Sequence, residues 1–189
     1  AFRYRMNTAG DNIEQRIIGL FSRGETSAMD ELYDHYAGYL TGVCARYIAT
    51  EDDLKDVLQE SFIKIFTAIG NFDFRGKGSL KAWMTRIVVN ESLLFLRKER
   101  LRAPEKLLAD PPDIPEDEPN AEGMDAETLT RLIRQLPQGY REVFNLFAIE
   151  GLSHKEIATK LGIKPDSSAS QYHRAKTLLA RMIKEQRTA

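Results

Sequence analysis

Apolar residues recur every three to four positions along most of this chain, and no strand-like alternation stands out. Leu32, Tyr36, Tyr39, Leu40, Val43 and Tyr47 form one stripe. Leu54, Val57, Leu58, Phe62, Ile65 and Phe66 form a second, and Trp83, Met84, Ile87, Val88, Ser92, Leu94 and Phe95 a third. A helix completes a turn in roughly 3.6 residues, so each stripe lies on one helical face. The pattern predicts an all-α protein, with about four helices in its first half and three or four near its end. No internal repeat stands out.

The periodicity stops at residues 103–126. Pro104, Pro111, Pro112, Pro115 and Pro119 stand there among many acids and few large apolar side chains. Such a composition cannot bury enough surface to offset the entropy of ordering it. It reads as an acidic, Pro-rich linker, extended near the prolines. The chain thus divides into two small helical domains, 1–102 and 127–189, joined by 103–126.

Within the second domain, Ser153 stands three residues before Glu156, the spacing of a helix capping box. Ile157, Ala158 and Leu161 share a face, and the small Ala158 lets another helix cross close above. Gly162 supplies a left-handed stop, Ile163 an inter-helix plug, and Pro165 a permitted first-turn residue for the next helix. That helix carries Gln171, Tyr172, His173, Arg174, Ala175 and Lys176. A helix-turn-helix with a basic second helix is the unit that enters a DNA major groove. An ordinary αα-corner has the same outline.

Net charge is −1 and pI about 6.4, which by itself argues against nucleic acid. The distribution reverses that. Residues 25–60 sum to −7 and 103–130 to −8, whereas 75–102 and 131–189 each sum to +6. Two basic blocks separated by an acidic one suit two nucleic-acid-facing surfaces better than randomly mixed solvated faces do.

The first basic block opens with a Gly-containing loop, residues 75–79, that carries Arg75 and Lys77. Phe72, Phe74 and Trp83 flank it, and Arg86 and Asn90 follow four apart on one helical face. Cations interleaved with aromatics suit single-stranded DNA: the cations hold the backbone, and each ring accepts a base at about 1–3 kcal/mol. Asn90 offers a base edge both a donor and an acceptor. For Trp83 the residues leave core packing and base stacking equally open.

Other chemistries find little support. The histidines, His35, His154 and His173, form no local ligand pair, and Cys44 is the sole cysteine, so no metal site, disulfide or cofactor is expected. Cys44 reads as core packing. No nucleophile–base pair or phosphate-cradling loop points to an enzyme. No apolar run approaches the roughly 20 residues of a membrane span, and the start of the sequence lacks a signal-peptide core. A cytoplasmic protein without membrane insertion is expected; the residues ahead of Met6 are assigned no role.

Three runs, in order, resemble bacterial RNA polymerase sigma factors of the extracytoplasmic-function (ECF) group, over about Ile13 to Ile183. Asp52-Asp-Leu-Lys-Asp-Val-Leu-Gln-Glu-Ser-Phe62 is similar to the acidic helix that binds core polymerase. Phe74-Arg-Gly-Lys-Gly-Ser79 through Trp83, with Arg86-Ile-Val-Val-Asn90, is similar to the −10 recognition and melting element. Leu136-Pro-Gln-Gly-Tyr-Arg-Glu-Val-Phe144 and Glu150-Gly-Leu-Ser-His-Lys-Glu-Ile-Ala158 are similar to the −35-binding domain.

The resemblance implies that Asp53, Asp56, Gln59 and Glu60 contact core polymerase. It implies that Phe72, Phe74, Arg75, Lys77, Trp83, Arg86 and Asn90 serve the −10 element, with a base flipped from the non-template strand captured at the 74–79 loop and Asn90. Lys164, Ser167, Ser168, Ser170, Gln171, His173, Arg174 and Lys176 are the candidate −35 set. Implied partners are core RNA polymerase and promoter DNA, both duplex and melted; an anti-sigma factor is left open. The linker would thread toward the polymerase active-site cleft, its carboxylates imitating nucleic-acid charge. The chain departs from the family pattern in having Ala169 and Gln171 where a Lys or Arg is common, which points away from the usual −35 consensus. It also has a longer approach, Asn71-Phe-Asp, ahead of Phe74, leaving open which Phe lies nearer the base. A helix-turn-helix regulator with an N-terminal sensing or dimerising domain is the rival reading. It leaves residues 71–90 and the acidic linker without a purpose.

Overall fold

The structure is a computed structural model that describes residues 9–102 and 118–188, with side chains from Ile13 onward. The linker reading at 103–117, with Pro104, Pro111, Pro112 and Pro115, and the segment ahead of Met6 lie outside the described residues. Every regular element among the described residues is helical: α1 (Ala9–Ser22), α2 (Ser27–Ala45), α3 (Glu51–Ala68), α4 (Ser79–Arg102), α5 (Ala126–Arg134), α6 (Gln138–Phe144), α7 (His154–Leu161) and α8 (Pro165–Thr188). The packing separates two compact units. One comprises the described parts of Ala1–Cys44 with Asp52–Ser92; the other comprises Ala45–Glu51 with the described parts of Leu93–Ala189.

The first unit buries most of the first two stripes seen in the sequence, while Tyr39 of the first stripe and Leu94 of the third are each 41% exposed. Ala28, Leu32, Tyr36, Leu40 and Val43 line one face of α2, and Leu54, Val57, Phe62 and Ile65 one face of α3. Leu80, Met84 and Val88 add the matching face of α4 at four-residue spacing. Each large aliphatic group so buried stabilises the fold by about 1.5–3 kcal/mol before entropy is counted. The two buried serines satisfy themselves within their own helices, Ser61 Oγ donating to Val57 O at 2.7 Å and Ser92 Oγ to Val88 O at 2.8 Å. Ser92 Oγ also lies 3.7 Å from the buried Cys44 thiol. Burial pushes that thiol's pKa up to about 11.

In the second unit, Leu132, Ile133 and Leu136 pack against Ala175, Leu179 and Ile183 of α8. Asp125 starts α5 by accepting from Thr128 N at 2.8 Å. α6 runs straight into a wider π turn, Asn145–Ile149, whose first residue is wholly buried. Asn145 Nδ2 donates to Arg141 O and to Arg46 O, both at 2.9 Å. The short segment 45–51 is thereby fixed in this unit, together with an Arg46–Glu150 ion pair at 3.2 Å and an Arg134 bond to Ala49 O. Tyr47 is fully buried there, and desolvation, then the charge of Glu150, drives its pKa far above the ordinary tyrosine value.

Candidate nucleic-acid interface

Residues 72–78 link a short 3₁₀ turn (Ile69–Asn71) to α4 without regular structure of their own. Gly76 and Gly78 adopt φ of 108° and 83°, values that side chains with a Cβ rarely tolerate. The glycines of the loop are therefore conformational necessities. Ser79 ties the loop to the helix: its Oγ accepts from Arg75 N at 3.2 Å and its N donates to Gly76 O at 3.1 Å. Gly78, immediately before α4, has no side chain to cap it. Glu14 of α1 does so instead, accepting from Gly78 N at 2.9 Å and from Lys81 N at 3.2 Å.

The Phe72 and Trp83 rings lie 5.0 Å apart, tilted by 43°. Both are half-buried, as is Phe74. Trp83 is thus neither wholly core nor wholly exposed. Arg75, Lys77, Arg86 and Asn90 are exposed. On α4, positions 83, 86 and 90 fall at i, i+3 and i+7, so an aromatic, a cation and an amide share one face. Beside it, Lys81 Nζ stands 4.0 Å over the Tyr39 ring, whose hydroxyl is 3.1 Å from Thr85 Oγ1.

Part of the +6 block is neutralised locally. Arg75 pairs with Asp73 and Arg102 with Glu99 at the surface, contacts of little energetic weight. Arg100 instead meets Glu142, a carboxylate almost fully buried. Arg97 and Lys98 remain exposed.

On α3, Asp56, Gln59 and Glu60 are exposed and Asp53 half-exposed. Positions 53, 56 and 60 share a face, and Ile63, half-exposed in area at 50%, extends it. Acids bordering an uncovered aliphatic side chain suit a protein partner better than solvent alone.

The corner in the second unit forms as its residues dictate. Ser153 and Glu156 complete a reciprocal capping box, and Gly162 ends α7 at φ 70°. The bonds from Ser153 hold the Glu156 carboxyl below its ordinary pKa. On α8, Lys164 just ahead of the helix, Ser170 and His173 are exposed; Ser167, Gln171, Arg174 and Lys176 are half-buried. Ser168 departs from the expected reading set. It is completely buried, with its Oγ 3.0 Å from His154 Nδ1, and so cannot meet a base edge. The His154 ring in turn stacks on Phe147 at 4.3 Å and 11°. Gln171 Oε1 lies close over Gly139, only 3.0 Å from where a Cβ there would stand. Lys176 pairs with Glu118 and lies 5.4 Å over the Tyr172 ring.

Residues 32–102 match the Sigma-70 region 2 family and residues 126–179 the Sigma-70 region 4 family, about two thirds of the chain between them. The chain belongs to the sigma-70 family, in its ECF group. An ECF RNA polymerase sigma factor SigE from Mycolicibacterium smegmatis is 31% identical over 167 residues, which is 82% of this chain but 63% of that protein, less than two thirds of its length. An ECF RNA polymerase sigma-E factor from Haemophilus influenzae is 28% identical over 183 residues, covering 90% of this chain and 95% of its own. The sigma factor RpoE of Bartonella quintana, solved in complex with the anti-sigma factor NepR, shares the fold with a TM-score of 0.50 at 20% identity, over 84% of this chain and 98% of that one. The region 2 match spans the whole acidic helix, the loop and α4 of this sigma factor, which a helix-turn-helix regulator with an N-terminal sensing or dimerising domain does not account for. Among the described residues no group of histidine, cysteine and acidic side chains could hold a metal, and no helix is long and apolar enough to cross a membrane.

Proposed function

We propose that this chain directs promoter-specific initiation by core RNA polymerase, leaving the phosphoryl-transfer chemistry to the polymerase. The exposed acids of α3, with Ile63, dock on core through residues 1–102. The 74–79 loop and the Trp83–Arg86–Asn90 face of α4 receive the −10 non-template strand. Extruding a base costs a few kcal/mol of stacking. Stacking on a half-exposed ring and hydrogen bonding to Asn90 offset that cost, while Arg75, Lys77 and Arg86 hold phosphates. Residues 127–189 carry α8 to the −35 duplex, with Ser170, Gln171 and His173 toward bases and Lys164, Arg174 and Lys176 toward the backbone. Ser168 supports that helix from inside.

The observation that carries this reading is the shared face of α4, where half-buried Trp83 falls at helical spacing with exposed Arg86 and Asn90, just after a loop that carries Arg75 and Lys77. An anti-sigma protein is a further proposed partner, the Bartonella quintana factor having one in its complex. Run-off transcription with purified core polymerase on a promoter library tests the reading. Selected −10 and −35 sequences and core co-elution are expected; no transcript from any template and no co-elution would remove it.

A further inference from the structure

Glu14 is a carboxylate with 4% of its surface exposed, set on α1 far in sequence from the loop it touches. Its partners are all donors. Oε2 accepts from Gly78 N at 2.9 Å, and Oε1 from Lys81 N at 3.2 Å and from the Tyr36 hydroxyl at 3.3 Å. Burial, then the Glu14 charge, raises the Tyr36 pKa to about 12, so the hydroxyl keeps its proton at neutral pH. A buried carboxylate needs such satisfaction, since an unpaired one would be expelled or neutralised. The location is unusual. A helix ordinarily satisfies its first N–H groups with the side chain just ahead of it. Here that position is Gly78, required for its φ of 83°, and glycine has no side chain to offer. The loop's geometry thus removes the local cap, and α1 restores it from a distance.

We propose that Glu14 is a positioning residue for −10 recognition: its carboxylate clamps the 76–81 backbone so that the loop and the Trp83–Arg86–Asn90 face are presented as one preformed pocket. This rests on the −10 reading above. Glu14 itself is nearly sealed from solvent and touches no base. Its effect passes through two backbone amides, one in the loop and one in the first turn of α4. Losing it frees the loop relative to the helix, and a captured base then has to organise its own pocket.

The test uses the full chain as wild type, Glu14→Gln and Glu14→Ala. Gln keeps the shape and one acceptor oxygen, but turns an amide N–H₂ toward donors and removes the charge. Three readouts are taken: hydrogen exchange of the 76–82 amides in the free chain, core affinity, and permanganate reactivity of the −10 region on duplex templates with each −10 base varied. Both variants are expected to exchange the 76–82 amides at least tenfold faster, with α2 and α3 protection and core affinity unchanged. Preference among −10 bases should fall about tenfold, and a pre-opened bubble should restore the yield of transcript but not the preference. If Glu14→Ala loses α2 and α3 protection, Glu14→Gln carries the test. Unchanged exchange at 76–82, or unchanged base preference in a folded variant, overturns the proposal while leaving the sigma-factor reading intact. A wild-type chain that opens no promoter with core removes the −10 reading and this proposal with it.

Discussion

Arg100 Nη2 donates to both carboxylate oxygens of Glu142, at 2.7 and 2.8 Å, and Gln138 Nε2 adds a third bond to the same carboxylate at 2.7 Å. Glu142 is only 1% exposed, so its charge depends on these donors. Removing one partner of a buried charge costs more than the pair itself contributes. The Arg100 side chain is 40% exposed, which lowers the loss through solvent screening. Arg100→Ala is therefore expected to destabilise the second unit by about 2 kcal/mol, with Arg100→Lys recovering part. Urea denaturation of the full chain, followed by far-ultraviolet dichroism, measures it; an unshifted midpoint would show that water replaces the guanidinium without loss.

Charge reversal at Asp53 and Asp56 together should weaken core binding with the fold preserved. Single exposed pairs contribute about 0–1 kcal/mol, so either substitution alone can pass unnoticed. Competition for core against a fluorescent sigma factor reads the affinity. Equal affinity for the double variant would reassign this face of α3 to solvent.

Asn90→Ala and Phe74→Ala should slow opening on duplex promoters and recover on a pre-melted bubble. Both residues act on an extruded base in the proposed reading, and the bubble removes the opening cost. Equal losses on the two templates would place their effect outside melting.

Gln171 and Ser168 of α8 should separate cleanly. Gln171→Ala is expected to relax preference at one −35 position by about 1–3 kcal/mol, the value of a good bidentate base contact. Ser168→Ala should leave every base preference in place, because its hydroxyl faces His154. Selection from a randomised −35 library with each holoenzyme decides the matter, and a preference change in the Ser168 variant would contradict its inward orientation.

Acid should loosen the second unit through its helix starts. Hydrogen bonds from Thr128 hold the Asp125 carboxyl below its ordinary value of 3.8, and bonds from Ser153 hold Glu156 below 4.5. A depressed carboxyl contributes stability above its unfolded pKa and loses it as pH falls through the lower folded value. Stability is thus expected to be constant above about pH 5 and to decline below the ordinary carboxylate range, with Glu156→Gln showing a shallower decline. Thermal melts between pH 7 and pH 3 give the slope.

The helix-turn-helix was legible almost residue by residue, because its determinants are local: the Ser153–Glu156 box, the αL Gly162 and the first-turn Pro165 all act within a few positions. The stripes through Leu32–Val43 and Leu54–Ile65 were legible for the same reason. Ser168 was not, since its inward turn depends on His154, fourteen residues away. Glu14 gave no signal, as nothing near it in sequence marks it as the cap of α4. The attachment of residues 45–51 to the second unit was equally hidden, depending on Asn145 and Glu150 about a hundred residues later. The first basic block offers less free charge than its sequence sum of +6, because Arg100 is committed to the buried Glu142 carboxylate.

Cys44 is the chain's sole cysteine, fully buried, with its thiol held protonated at neutral pH. A folded molecule therefore offers alkylating reagents no thiolate. Any cysteine introduced at the surface becomes a unique attachment point for a dye or crosslinker, with no background to remove. Conversely, uptake of such a reagent by the unaltered chain serves as a clock for how often the first unit opens.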